Sequence, residues 1–394
     1  MSNYAKNLLI YTSISGTGLS MYRVLYNLFL RDLGYTNYFI SSVMSSQLWG
    51  TAIIGIFLGF LADRIGKRKI IIFSSFLMPV VGIMMLYPIS KTYIIILSFF
   101  RGGFTAIIFT VVLAAISSNT ESGNRAKVFG LNFGLSMASG VFGNFIGGVL
   151  GDLIGLRITL LIATIVYFFA VIPIFRIKGV KANISNNPFN LKGLNKNQKK
   201  ILSFYFISTG AVGFGAGLFI HFGNIIFKDL FAMSASGIGI ALSIAQLGTA
   251  LGSTLSHKLG KRFGPLKFVF IMQLLVVPLI VLLSFVREPF TFTGIYTLRF
   301  VFMNITSPIL TTIVFSSLPK EKLSTLSGIN GFINNSVRAI AAMVFGSVVG
   351  STISGYTTLF LLSALFYGLS AFVAFLFYKN FDSSDLSKKL YLRK

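Results

Sequence analysis

Four arginines, Arg23, Arg101, Arg299 and Arg338, lie inside otherwise apolar stretches of the chain. A guanidinium keeps its charge under nearly all conditions and presents a planar fork of N–H donors suited to a carboxylate or phosphate. Arg23 shares a helix face with Ser13, Gly16, Ser20 and Asn27, which recur at three- and four-residue steps. Gly210, Gly213, Gly217, His221 and Asn224 keep the same rhythm, as do Gly331, Asn335 and Arg338. Such small or polar faces either wall a wet cavity or let helices pack closely. For the arginines the competing role is structural, with bonds to backbone carbonyls or to amides such as Asn334. The acids Asp32, Asp63, Glu121, Asp152, Asp229, Glu288, Glu321, Asp382 and Asp385 all lie in loops or at the ends of apolar runs. No embedded carboxylate therefore neutralises these arginines, and an anionic or amphipathic ligand is favoured. Proton relay would fall to Asp32, to His221 or to a titrating ligand.

The elements that position these side chains are apolar runs. Hydrophobic residues make up 54% of the 394 and charged residues only 11%, well below the share of about 25% usual in soluble proteins. Runs long enough to cross a hydrocarbon core, about 20 residues each, fall near 8–30, 38–61, 70–88, 92–117, 127–150, 157–176, 201–226, 237–256, 266–286, 291–318, 327–350 and 357–378. The sequence predicts an all-α integral membrane protein with 12 transmembrane helices. With both termini cytoplasmic, 25 Lys and Arg fall in or beside inner segments and five beside outer ones, the bias of the positive-inside rule. The net charge of +25 is then a topology signal and an attraction for anionic lipid on the cytoplasmic side, and nucleic acid is not an expected partner. Zero Cys and two His argue against disulfides, a thiolate nucleophile and a metal centre. No phosphate-cradling nucleotide loop is present, so no cofactor is expected. Without embedded acids or thiols, an enzyme is not expected either.

The longest polar stretch, rich in Asn and Lys, divides six runs from six. It suggests an N-terminal six-helix bundle over 1–176, a cytoplasmic linker over 177–200, a C-terminal six-helix bundle over 201–378 and a cytoplasmic tail over 379–394. The halves repeat: Leu61-Ala62-Asp63-Arg64-Ile65-Gly66-Lys67-Arg68 is echoed by Leu255-Ser256-His257-Lys258-Leu259-Gly260-Lys261-Arg262, and Arg101 by Arg299. Two pseudo-symmetric bundles of this kind are a transporter signature. Charged, imidazole and carboxamide side chains avoid spans 3, 6, 9 and 12, where Gln273 alone occurs.

From Gly59 to Lys69 the chain resembles the major facilitator superfamily, whose loop between spans 2 and 3 reads G-x-L-a-D-R-x-G-[RK]-[RK]. Gly59, Asp63, Arg64, Gly66, Lys67 and Arg68 stand at the motif positions. The resemblance implies that Asp63 contacts the start of span 11 and that Lys67 pairs with an acid near span 4, for which Glu121 is the candidate; these residues would latch the cytoplasmic face. His257 stands where the first copy has Asp63. Arg101 resembles the arginine of the family's span 4 signature. Gly134, Gly143, Gly147, Gly148 and Gly151 in span 5 resemble the hinge of its exporters, with Gly148 in place of a proline; close helix packing explains the same glycines.

These features imply secondary transport of a small organic solute by alternating access, as export or exchange at the cell membrane, by a monomer. Arg23, Asn27, Arg101, His221, Asn224, Arg299, Asn335 and Arg338 are the candidate substrate residues. Proton-coupled multidrug efflux and a non-transporting membrane sensor are the rivals. Asp63→Asn is expected to keep expression and slow vesicle flux several-fold, because it weakens a gate contact and leaves the cavity untouched. Wild-type turnover in that variant would remove the latch.

Overall fold

The computed structural model describes residues 2–118, 120, 122–177, 193–319, 322–350 and 352–381. Its helices in chain order are α1 (Asn3–Asp32), α2 (Asn37–Ile65), α3 (Lys67–Met84), α4 (Lys91–Ser118), α5 (Ser122–Ile154), α6 (Leu156–Phe169), α7 (Ile172–Phe175), α8 (Lys196–Gly217), α9 (Gly223–Phe231), α10 (Ala235–Phe263), α11 (Pro265–Phe285), α12 (Pro289–Ser316), α13 (Leu323–Val349) and α14 (Ile353–Phe381). Every apolar run of the sequence falls on helix. Span 6 is broken ahead of Pro173 into α6 and α7, and span 7 is broken into α8, a 3₁₀ turn over Ile220–Phe222, and α9. Ten spans among the described residues are long and apolar enough to cross a membrane by themselves. The other two are α1, whose apolar content is diluted by its polar face, and α3, which carries Lys67, Arg68 and Lys69 in its first turn. α1 depends on neighbouring helices to bury the polar face it cannot offer to lipid, whereas Lys69 in the first turn of α3 stays exposed.

Helix ends follow local chemistry. Ser2, Thr36 and Asn195 cap α1, α2 and α8 with side-chain oxygens on backbone N–H groups, and Asn195 forms a reciprocal box with Gln198. The Glu288 carboxylate accepts from Phe290 N at 2.9 Å and Thr291 N at 2.5 Å. Thr291, by side chain and backbone, and then Phe290 hold that carboxyl below its ordinary pKa. Between α2 and α3 the chain turns at Gly66 with φ +102°, and between α10 and α11 at Gly264 with φ +81°. Both angles favour glycine. The second copy of the loop motif therefore lies elsewhere than its sequence suggested. Gly260 is inside α10, which runs to Phe263, and Lys261 and Arg262 form its last turn. His257 is thus a full helical turn before the position that corresponds to Asp63 when α2 and α10 are matched by their ends.

Packing divides the chain into two compact units, Met1–Asn186 with His221–Ile244, and Asn187–Ile220 with Ala245–Lys394. In unit 1, α1 packs on α5 and α6, while α2 runs along α4. At the α2–α4 crossing a Cβ on Gly50 would collide with the Phe99 carbonyl, and one on Gly102 with the Gln47 carbonyl. Ser46 and Thr51 donate across the same crossing to the carbonyls of Ile95 and Gly102. Backbones this close gain dispersion and hydrogen bonds that lipid cannot supply. The same design recurs inside unit 2. Gly248 and Gly252 of α10 rest on Thr297 and Val301 of α12, and Ser256 donates to the Ile305 carbonyl at 2.7 Å.

The α1–α6 contact has its counterpart as well. Gly18 faces Ala163 and Tyr167 in unit 1, and Gly215 of α8 faces Ser363 and Tyr367 of α14 in unit 2. Gly59 behaves differently, for no described atom lies within 4 Å of a Cβ placed there, and close approach is not its role in this structure.

Gly50→Ala is accordingly expected to force α2 and α4 apart, at a cost of about 1–3 kcal/mol or more from overpacking. Gly59→Ala should leave the Tm of the purified protein unchanged. Thermal unfolding in detergent checks both, and equal Tm values for the two variants would refute the packing assignment.

Candidate functional site

The polar face of α1 divides by depth into a satisfied part and an open part. Asn27 is buried, and its Nδ2 donates to the His221 carbonyl at 3.0 Å and to Asn224 Oδ1 at 3.1 Å. Asn224, on the first turn of α9, donates to the Val24 carbonyl at 2.8 Å and more weakly to that of Arg23 at 3.5 Å. Its Oδ1 also accepts from its neighbour Ile225 N at 3.0 Å. The two carboxamides and the His221 carbonyl therefore form a clamp between α1 and the 221–231 segment inside unit 1. A turn further on, Arg31 bonds Asn37 and pairs with Asp229 at 3.2 Å. Arg23, whose carbonyl takes part in this clamp, has an exposed side chain.

Arg101 and Arg299 occupy equivalent positions in the two units. Each is almost fully enclosed, at 4% and 2% exposure. The Arg101 guanidinium carbon lies 3.7 Å from the Tyr22 ring centre, a strong cation–π geometry. Arg299 is ringed by Phe219 at 5.2 Å, Phe300 at 4.8 Å and Tyr367 at 5.1 Å. The Nε atoms of both have no hydrogen-bond partner among the described residues. Tyr22 and Phe219 each follow a packing glycine by four residues, Gly18 and Gly215. The internal repeat thus carries the aromatic partners, at a fixed four-residue step from each glycine, as well as the arginines.

Arg338 lies on α13, half-buried, and its Nε donates to Asn334 Oδ1 at 3.0 Å. That bond orients the fork and leaves its terminal nitrogens to other partners. Asn335 bonds back to the Gly331 carbonyl of its own helix at 2.9 Å.

The α5 glycines serve different ends. Gly143 closes on Thr17 and Ser20, and Gly147 on Met21 and Val24, so these two seat α5 against α1. A Cβ on Gly148 would come within 2.5 Å of the Ala235 carbonyl oxygen and 3.0 Å of Gly239, and one on Gly151 would abut Leu25, Ala235 and Leu156. Gly134 has no described atom within 4 Å of its Cβ position. Asp152, at the end of α5, accepts from Ala235 N at 2.9 Å and Ser236 N at 2.8 Å. It thereby caps the start of α10 from another helix and neutralises the positive end of its dipole. No local pattern marks this role, since the cap and the capped turn are 83 residues apart.

In the loop after α2, Gly66 makes the turn. Lys67 Nζ reaches the Ala114 carbonyl at 3.5 Å, and Arg68 donates to the carbonyls of Ile174 and Phe175 at 3.3 Å each. These two basic residues cap carbonyls of α4 and the end of span 6. Asp63 is half-buried and Arg64 exposed. Glu121 lies outside the described residues.

The family model described as the Major Facilitator Superfamily matches residues 8–342 and 205–390. Among solved structures, the nucleoside transporter NupG is similar with a TM-score of 0.76 at 14% identity, covering 96% of this chain and 100% of that one. A bacterial homolog of the human lysosomal transporter Spinster, in its inward-facing and unoccupied conformation, gives 0.74 at 14% identity over 96% of this chain and 97% of that one. The inward-facing and occupied form of that homolog gives 0.74 at 12% identity over 100% and 98%. No curated protein sequence matches significantly. At these identities the structural likeness speaks for the fold.

The interhelical cap at α10 generates a prediction. Asp152→Ala should raise amide exchange at Ala235 and Ser236, with a local loss of about 1 kcal/mol or less because the carboxylate is exposed. Asp152→Asn should lose less, since one acceptor remains. Exchange rates at those two amides identical to wild type in the Ala variant would exclude the cap.

Proposed function

The chain belongs to the Major Facilitator Superfamily, and on that premise we propose that this multi-pass membrane transporter moves a small organic anion by alternating access, in export or exchange. The carrying observation is the open side chain of Arg23 and the half-buried fork of Arg338, on polar helix faces with no acid inside any span. A permanent cation at that depth needs water, amide contacts or an anion. Asn334 supplies one amide to Arg338, and a carboxylate or phosphate of the solute supplies the rest. Arg101 and Arg299 are too enclosed to meet a large solute and act instead by holding the aromatic walls and the positive potential of each unit. The Asn27–Asn224 clamp and the Asp152 cap serve as releasable contacts of the transport cycle, and Asn335 stands beside the Arg338 fork.

On this reading both termini face the cytoplasm of a cell-membrane protein, with the basic loops against anionic lipid. Asp63 acts as a latch toward the start of span 11 on that side, with Arg64 at the surface. Any proton coupling runs through Asp32, His221 or the solute itself, since no carboxylate is embedded.

Arg23→Gln and Arg338→Gln are each expected to weaken anion binding by about tenfold or more, the worth of a hydrogen bond to a charged group. Tm should hold near wild type. Lys at either position should restore only part of the loss, because it lacks the two-pronged geometry. Affinity should also fall as salt rises, as screening requires. Titrating the purified variants with carboxylate, phosphate, neutral and cationic solutes at two salt concentrations checks this. If both Gln variants bind every solute as wild type does, the arginines are structural, and binding of lipophilic cations would then favour multidrug efflux.

A further inference from the structure

We propose that unit 1 binds a small inorganic anion of chloride size in the cage formed by Arg101, Tyr22 and Tyr167, separate from the solute. A cavity lies at this cage among α1, α3, α4 and α6, with room for about one water-sized particle. Leu19, Met78 and Ala163 close it with carbon. Its polar groups are chiefly donors. The Arg101 Nε is buried with no partner among the described residues. The Tyr167 hydroxyl lies 3.4 Å from that of Tyr11, and either can be the donor. The Tyr11 hydroxyl accepts from Ser75 at 3.1 Å, so Tyr11 can donate to Tyr167, and the hydrogen of Tyr167, a residue of the cavity wall, is then left to an acceptor there.

The other polar groups at the cavity wall are already engaged. Tyr22 donates its hydroxyl to the Gly82 carbonyl at 3.3 Å, and Thr164 donates to the Leu160 carbonyl at 2.7 Å. A water placed here would bring two hydrogens of its own to a site rich in donors, and would leave the buried charge uncompensated. An anion accepts from both the guanidinium and the phenol and cancels that charge. Arg23 lies within electrostatic reach and adds to the positive potential. The pattern recurs in unit 2, where the Nε of Arg299 and the hydroxyl of Tyr367 are both buried without a partner among the described residues.

The test uses the purified full chain in detergent, titrated with sodium bromide against sodium gluconate at constant ionic strength. Bromide should raise Tm saturably and gluconate should not. Crystals grown in bromide should show an anomalous peak within hydrogen-bonding distance of the Arg101 guanidinium. Tyr167→Phe keeps the ring and removes one donor, and should raise the half-saturating bromide concentration about tenfold. This variant is preferred to Arg101→Gln, which risks misfolding. Superimposed bromide and gluconate curves overturn the proposal, as does an anomalous map with peaks only elsewhere. An unshifted half-saturation in Tyr167→Phe also overturns it.

Discussion

A guanidinium cannot shed its charge, and hydrocarbon cannot solvate it; most of the local structure around the intramembrane arginines answers that constraint. Arg101 and Arg299 are met by aromatic faces, which supply negative quadrupole potential without a formal counter-charge. Tyr22 of α1 and Phe219, just past the end of α8, stand beside the places where α1 meets α6 and α8 meets α14. Gly18 and Gly215 permit that approach, each one turn before the aromatic residue it serves. Glycine packing and charge compensation are therefore one arrangement, built twice.

Close helix approach also explains why so much of the small-residue content looked ambiguous. Gly50 and Gly102 bring two backbones together, and Ser46 and Thr51 use the proximity to bond carbonyls across the gap. Gly143 and Gly147 do the same for α5 on α1. Gly59, Gly134 and Gly210, drawn from the same kinds of pattern, have open space around them. Spacing alone does not separate these cases, because a glycine leaves no side chain whose chemistry would show which way it faces.

The segment 221–244 follows the linker in sequence yet packs inside unit 1. Its polar contacts include the carboxamide clamp of Asn27 and Asn224, the Arg31–Asp229 pair, and the Asp152 cap on α10. The segment is also packed by apolar and small residues: Phe222, Ile225, Ile226 and Phe227 are fully buried, and Gly239 lies against Gly148.

The sequence by itself determined the membrane environment, the helical class, the family and the twofold internal repeat. These follow from apolar run length, from the Lys and Arg bias, and from the motif at Gly59 to Lys69, all local properties of the chain. It also marked the arginines, because a charge in an apolar run is conspicuous wherever it points. Tertiary structure alone decided what each charge meets. It sank Arg101 and Arg299 among rings, left Arg23 open, and bound Arg338 to Asn334. It shifted the second loop motif by one turn, since where α10 ends depends on the glycine able to take a positive φ, Gly264 and not Gly260. And it turned Asp152 into the cap of a helix 83 residues away, a partnership that no local pattern carries because capping depends on where a backbone N–H comes to lie in space.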